Sequence, residues 1–164
     1  MDTDCNSEKI AFQACASRKV TGRFDGGTIT SDAGVLLLRE LDERFGIIKE
    51  LAECFDDYRD PDYVEHSVEE LLRQRIFGLV LGYEDLVDHE TLRRDPCLAV
   101  ACGKEDPEGE ERRQTEDRGK PLAGKSTLNR LEVGVVDGGP TDRHNKIVCD
   151  LAAVEALLVE YWLE

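Results

Sequence analysis

The chain has 164 residues, 35% of them charged, and a formal net charge of −15 from 36 acidic and 21 basic side chains. That length suits one domain with a modest core, and the negative balance argues against a broad phosphate-binding surface. No run of about 20 apolar residues is available to cross a membrane and the polar N-terminus is unlike a secretory signal, so a cytoplasmic location is expected.

Residues 1 to about 20 mix small, polar and charged types without a sustained period, which predicts a flexible N-terminus over 1–18. From Lys19 to Phe24 the pattern alternates weakly towards an Asp25-Gly26-Gly27 turn signal, with Thr28, Ile29 and Thr30 beyond it. A short extended segment or β-hairpin near residues 19–30 is expected. Ser31 or Asp32 is placed to cap a helix with Val35, Leu38, Leu41 and Phe45 on its inner face, stopped by Gly46. A further helix from Ile47 to Phe55 brings Ile48, Leu51 and Phe55 to one side, and the Asp-rich segment 56–62, which contains Pro61, breaks it.

The longest periodic stretch runs from His66 to Asp95. Val68, Leu72, Ile76, Leu79 and Val80 recur at spacings of three and four, one apolar face of an α-helix. Ser67 as N-cap and Glu70 three residues later form a capping box, Glu69 and Arg73 an i,i+4 pair, and Gly82 ends the helix in a left-handed conformation. Asp88 restarts a shorter helix through Leu92 and Arg94, and Asp95-Pro96 opens another. From Lys104 to Arg118 no aliphatic or aromatic residue occurs, which predicts a mobile solvated loop. Ser126 then caps a short helix carrying Leu128 and Leu131, and residues 134–140 are glycine-rich and irregular. Asp150 caps a last helix whose Leu151, Val154, Leu158 and Tyr161 form a stripe widened by Leu157 and Trp162. The expected fold is mainly α: a compact helical domain of about five to seven short helices. Its parts are a flexible N-terminus (1–18), a helical core (19–103), a charged mobile loop (104–124), and a short helix and C-terminal helix packing on the core (125–164).

Three chemical signals can be weighed from the residues. The six cysteines occur without an export signal and without a second close pair beside Cys97 and Cys102, so they read as reduced core thiols, and no metal site is expected. Asp56, Asp57 and Asp60 share one proline-containing loop, the arrangement of a solvated turn; magnesium sites take one or two carboxylates held from separate elements. Residues 119–126 satisfy the P-loop pattern G-x-x-x-x-G-K-[ST], which would put phosphate-binding roles on Gly119, Gly124, Lys125 and Ser126. That pattern requires a buried strand immediately before it. The run Gln114 to Arg118 is polar, and Pro121 interrupts the loop, so nucleotide binding ranks third among the functional readings.

The run from Leu72 to Pro96, with its Gly82-Tyr83-Glu84-Asp85-Leu86 block and downstream Leu92-Arg93-Arg94-Asp95-Pro96, resembles the N-terminal region of insertion-sequence transposases of the thirteen-eighty group, in the DDE superfamily. The likeness extends back to residues 24–27 and 30–34 and forward to residues 126–132 and to His144, Lys146, Ile147 and Val148. It implies a region that recognises transposon-end DNA or assembles with full-length transposase or with itself. Lys125, Ser126, Thr127 and Arg130 become candidates for DNA phosphate contact, from a helix N-terminus and two cations, with Arg73 and Arg75 as a second pair. The same residues equally suit the capping and solvation of a surface helix. The family's RNase H-like domain carries the acidic triad and uses divalent metal such as magnesium. Its first catalytic Asp follows the helix matching residues 150–163, so the resemblance implies a chain truncated before catalysis, with no catalytic residue and no cofactor of its own. The alternative is a helical protein-interaction module without DNA binding.

Overall fold

The computed structural model describes residues 10–15, 18–22, 30–133 and 139–163. They fall in two units, residues 1–31 and 32–164. In the first, strand β1 (Ile10–Cys15) pairs antiparallel with β2 (Arg18–Gly22), Ile10 opposite Gly22 and Phe12 opposite Val20, with an irregularity between Phe12 and Cys15. The hairpin therefore lies N-terminal to its expected place: residues 18–22 pair backwards, with a stretch whose composition carries no strand signal. The Asp25-Gly26-Gly27 turn and residues 1–9 lie outside the described residues.

The second unit is built from helices α1 (Val35–Phe45), α2 (Ile47–Glu53), α3 (Val68–Val80), α4 (His89–Leu92), α5 (Pro96–Ala101), α6 (Lys125–Val133) and α7 (Leu151–Leu163), with a two-stranded sheet of β3 (Phe55–Asp57) and β4 (Ile147–Cys149). The described residues are thus mainly α. The centre is α3. Its capping box is complete, Glu70 N–H donating to Ser67 Oγ (3.1 Å) and Ser67 N–H to Glu70 Oε2 (2.9 Å). Its other end closes as predicted at Gly82, whose φ of 97° lets Tyr83 N–H return to the Gly78 carbonyl (2.9 Å).

The buried face of α3 is rotated from the expected stripe. Val68 and Leu72 are buried, but the core side continues through Leu71, Gln74, Phe77 and Gly78, while Leu79 and Val80 are exposed. The apolar period is ambiguous there because apolar residues surround the last turn, and packing against α5 and α6 chooses among them. Leu71, Phe77, Leu98, Leu122 and Leu128 form the centre of the core, each contributing about 1.5–3 kcal/mol by burial.

Other boundaries shift for local reasons. Helix α1 begins at Val35 with Gly34 as N-cap and no side-chain cap, so the expected Ser31 or Asp32 cap is not used; the Asp32 carboxylate instead accepts from Tyr83 Oη (2.9 Å). Val35 is buried and Leu38 half-buried, whereas Leu41 and Phe45, expected inside, are exposed. Helix α2 stops at Glu53 instead of Phe55, because Phe55, Asp56 and Asp57 pair with Cys149, Val148 and Ile147. Asp95 caps α5 through Cys97 and Leu98 N–H, and Asp150 caps α7 through Ala152 and Ala153 N–H, both as expected.

Candidate nucleic-acid interface

Helix α6 rests on Leu128 and Leu131, both buried. Its first turn is not capped by Ser126: the helix starts one residue earlier, and Glu90 of α4 accepts the Lys125 N–H (3.0 Å) while the Gly124 carbonyl takes those of Thr127 and Leu128. Lys125, Ser126, Asn129 and Arg130 face solvent, and Thr127 is half-buried.

Beside α6 runs the segment 139–147, tied down at both ends. Gly139 N–H reaches the Asn145 carbonyl (3.1 Å), the Lys146 carbonyl accepts from Tyr58 N–H (2.8 Å), and Ile147 is buried in the core. Inside the turn Asp142 Oδ1 accepts from the N–H groups of His144 (2.7 Å) and Asn145 (2.8 Å), and these bonds hold its carboxyl below the usual range. The turn therefore sets Arg143, His144 and Lys146 next to the helix.

Between the two lies an open groove of two lobes. One, about 470 Å³, is lined by Leu86, Lys125, Ser126, Asn129, Arg130, His144 and Asn145. The other, about 200 Å³, is lined by Arg59, Asp60, Thr127, Arg130, Arg143, His144, Lys146 and Ile147. Arg130 and His144 belong to both. Asp60 is the one carboxylate among these lining residues, and Lys125, Arg130, Arg143 and Lys146 make no ion pair with a described carboxylate. Arg59 is committed to Asp57 (2.6 and 2.8 Å) and to the His66 carbonyl.

The other predicted cations serve the fold. Arg73 donates to the buried Asp42 (2.8 Å) and pairs with Glu69 (2.7 Å), the expected i,i+4 contact. Arg75 pairs with Glu132 (2.5 Å) and donates to the Tyr83 and Glu84 carbonyls. Of the six candidate residues, Lys125, Ser126, Thr127 and Arg130 come together at one surface and Arg73 and Arg75 do not join them. Sequence reasoning passed over Asn129 and Arg143; the signal available was a basic run, Arg143-His144-Asn145-Lys146, in an otherwise acidic chain.

The P-loop pattern folds differently from a phosphate cradle. Pro121, Leu122 and Ala123 are buried. Ala123 N–H donates to Gln74 Oε1 (2.9 Å), its carbonyl accepts from Gln74 Nε2 (2.8 Å), and Leu122 N–H goes to the Arg93 carbonyl (3.3 Å). A Cβ at Gly124 would stand 2.8 Å from Arg93 Nη1, so that side chain would have to move aside. A 3-10 turn, Thr115–Asp117, precedes the pattern where a strand would be required.

A cationic groove beside a helix, in a chain otherwise acidic, points towards a polyanion. The family model described as transposase DDE domain group 1 matches residues 12–164. The chain belongs to this DDE transposase family. No curated protein and no solved structure matches it. Membership gives a function related to DNA transposition and a family whose substrate is DNA. Among the described residues no group of three or more His, Cys, Asp or Glu is placed to hold an ion. Asp57 is occupied by Arg59, and Asp60 caps the turn at Pro61–Tyr63 through Asp62 N–H. No helix among the described residues is long and apolar enough to cross a membrane.

Proposed function

We propose that this chain supplies a DNA-contacting surface for transposition, of the end-recognition kind found N-terminally in the thirteen-eighty group, and that the α6 groove is that surface. One observation carries it: Lys125, Arg130, Arg143 and Lys146, from two chain segments, share a groove without a described carboxylate partner. A net charge of −15 works against DNA at long range, but physiological salt screens charges beyond roughly 8 Å, so local unpaired cations govern contact. The proposal assigns DNA contact, not strand cleavage, to the described residues.

The test is a salt-series titration of the chain against duplex DNA from the flanks of its own gene, with an unrelated duplex as control. Preferential binding that weakens steeply with salt, and falls on Lys125→Ala and Arg130→Ala, is the expected result. Absence of binding at low salt would remove the reading.

A second reading, assembly with another transposase copy, is favoured by α7. Val154, Leu157 and Tyr161 turn partly inwards, with Tyr161 Oη donating to Glu50 (2.7 Å), but Leu151, Leu158 and Leu163 are exposed and Trp162 is 88% exposed. Concentration-dependent self-association, measured by sedimentation and reduced by Trp162→Ser, is the outcome that supports it.

A further inference from the structure

Resting on that DNA-contact reading, we infer that α6 is a base-reading helix whose Asn129 addresses base edges of duplex DNA, while Arg143 and Lys146 on the neighbouring turn hold the phosphate backbone. The helix separates two faces. Leu128 and Leu131 point into the core, and Ser126, Asn129 and Arg130, at spacings of three and four, stand together on the solvent side. The Asn129 amide makes no hydrogen bond with a described residue. It offers two donors and an acceptor, the set that pairs bidentately with adenine in the major groove, where a helix is admitted.

Of the described carboxylates around α6, Asp60 lines the groove, and two others are engaged elsewhere. Glu132, on the next turn of α6, is drawn aside by Arg75 (2.5 Å), and Glu90 is turned to the helix start by the Lys125 N–H. Arg143 and Lys146 are held differently, on a turn closed by Asp142 and anchored by Ile147. Phosphate contacts fix register without carrying sequence, and base contacts carry it. An acidic protein segment could satisfy the two cations but would give Asn129 no sequence-dependent effect.

The experiment enriches a random 20-bp duplex library on the full chain, then titrates the enriched duplex, its scrambled version and its single strands across a salt series. Asn129→Ala should cut the enriched-to-scrambled preference about tenfold to a hundredfold with the salt slope unchanged. Arg143→Ala with Lys146→Ala should lower the slope by about 2 and leave the preference intact. Asn129→Asp should move the preferred base from adenine towards cytosine. If the wild-type chain binds duplex but Asn129→Ala keeps its preference, or if single strands bind as well as duplex, the base-reading role is overturned while DNA contact stands. A wild-type chain that binds no duplex at low salt overturns both.

Discussion

The segments 104–121 and 139–147 are both polar, charge-rich connections, and they use their charges in opposite ways. In the first, Arg112 Nη1 donates to His66 Nε2 (3.1 Å) and the Lys120 carbonyl (2.8 Å), and its Nη2 to Glu65 (3.0 Å). Lys104 reaches Glu70 (2.7 Å) and the Glu65 carbonyl, and Arg93 reaches Asp117 (2.9 Å). Burial would raise the Asp117 carboxyl, yet Arg93, Arg112 and Lys120 around it hold it below the usual range. In the second, the carboxylate present, Asp142, is consumed by backbone N–H groups, and Arg143 and Lys146 are left without a described partner. Composition counts cations; pairing decides which of them a ligand can use.

The largest effect should follow from breaking the inward network. Arg112→Met leaves Glu65 and the buried His66 without their partner and should cost about 2–4 kcal/mol in urea unfolding. Arg143→Met should change stability by less than about 0.5 kcal/mol. Equal losses would erase the distinction between the two segments.

Acid should act on the first segment before the second. Burial first, then Lys104, Arg112, Arg93 and Arg59, push His66 down to about 2. It therefore stays neutral in the fold and takes a proton on unfolding below its ordinary value of about 6.5. Since the unfolded chain then binds more protons, this stability is complete above about 6.5 and is lost as pH falls towards 2, at up to about 1.4 kcal/mol per unit. Burial lowers His89 as well, in the same direction. Urea midpoints between pH 7 and 5 should show the slope, and His66→Gln should flatten part of it.

Asp142→Ala sharpens the comparison from the other side. It should lower the urea midpoint slightly by releasing two N–H groups. It should also weaken duplex binding even though it makes the chain less negative, because the turn that positions Arg143 and Lys146 loosens. Tighter binding would show that bulk charge, not placement, governs the groove. The smallest stability change, under about 0.5 kcal/mol, is expected for Trp162→Ser, whose effect should appear in sedimentation instead.

Much of the helical skeleton was legible because its signals are local. The Ser67–Glu70 capping box, the Gly82 terminus, the Glu69–Arg73 pair and the caps at Asp95 and Asp150 each need only neighbours within about five positions, and all are present. The β3–β4 pair was not legible: three-residue strands have no period of their own, and Phe55 meets Cys149 across most of the unit. A short hairpin was legible, and residues 18–22 form one of its strands; its partner Ile10–Cys15 was not, because that stretch has no period of its own. In the candidate site, Lys125, Ser126, Thr127 and Arg130 were legible as neighbours on one short helix, but nothing local brings Arg143 and Lys146 beside them.

The sequence by itself determined where α3, α5 and α7 begin, where α3 ends, and which family the chain resembles, since caps, turns and motif blocks act over a few residues. Only the tertiary structure decided which cations are available. Arg73 and Arg75 each lie one residue from the predicted stripe, beside Leu72 and Ile76, and read as surface charges until Asp42 and Glu132, 31 and 57 positions away, take them. An ion pair depends on distance in space, and the chain writes that distance only when it folds.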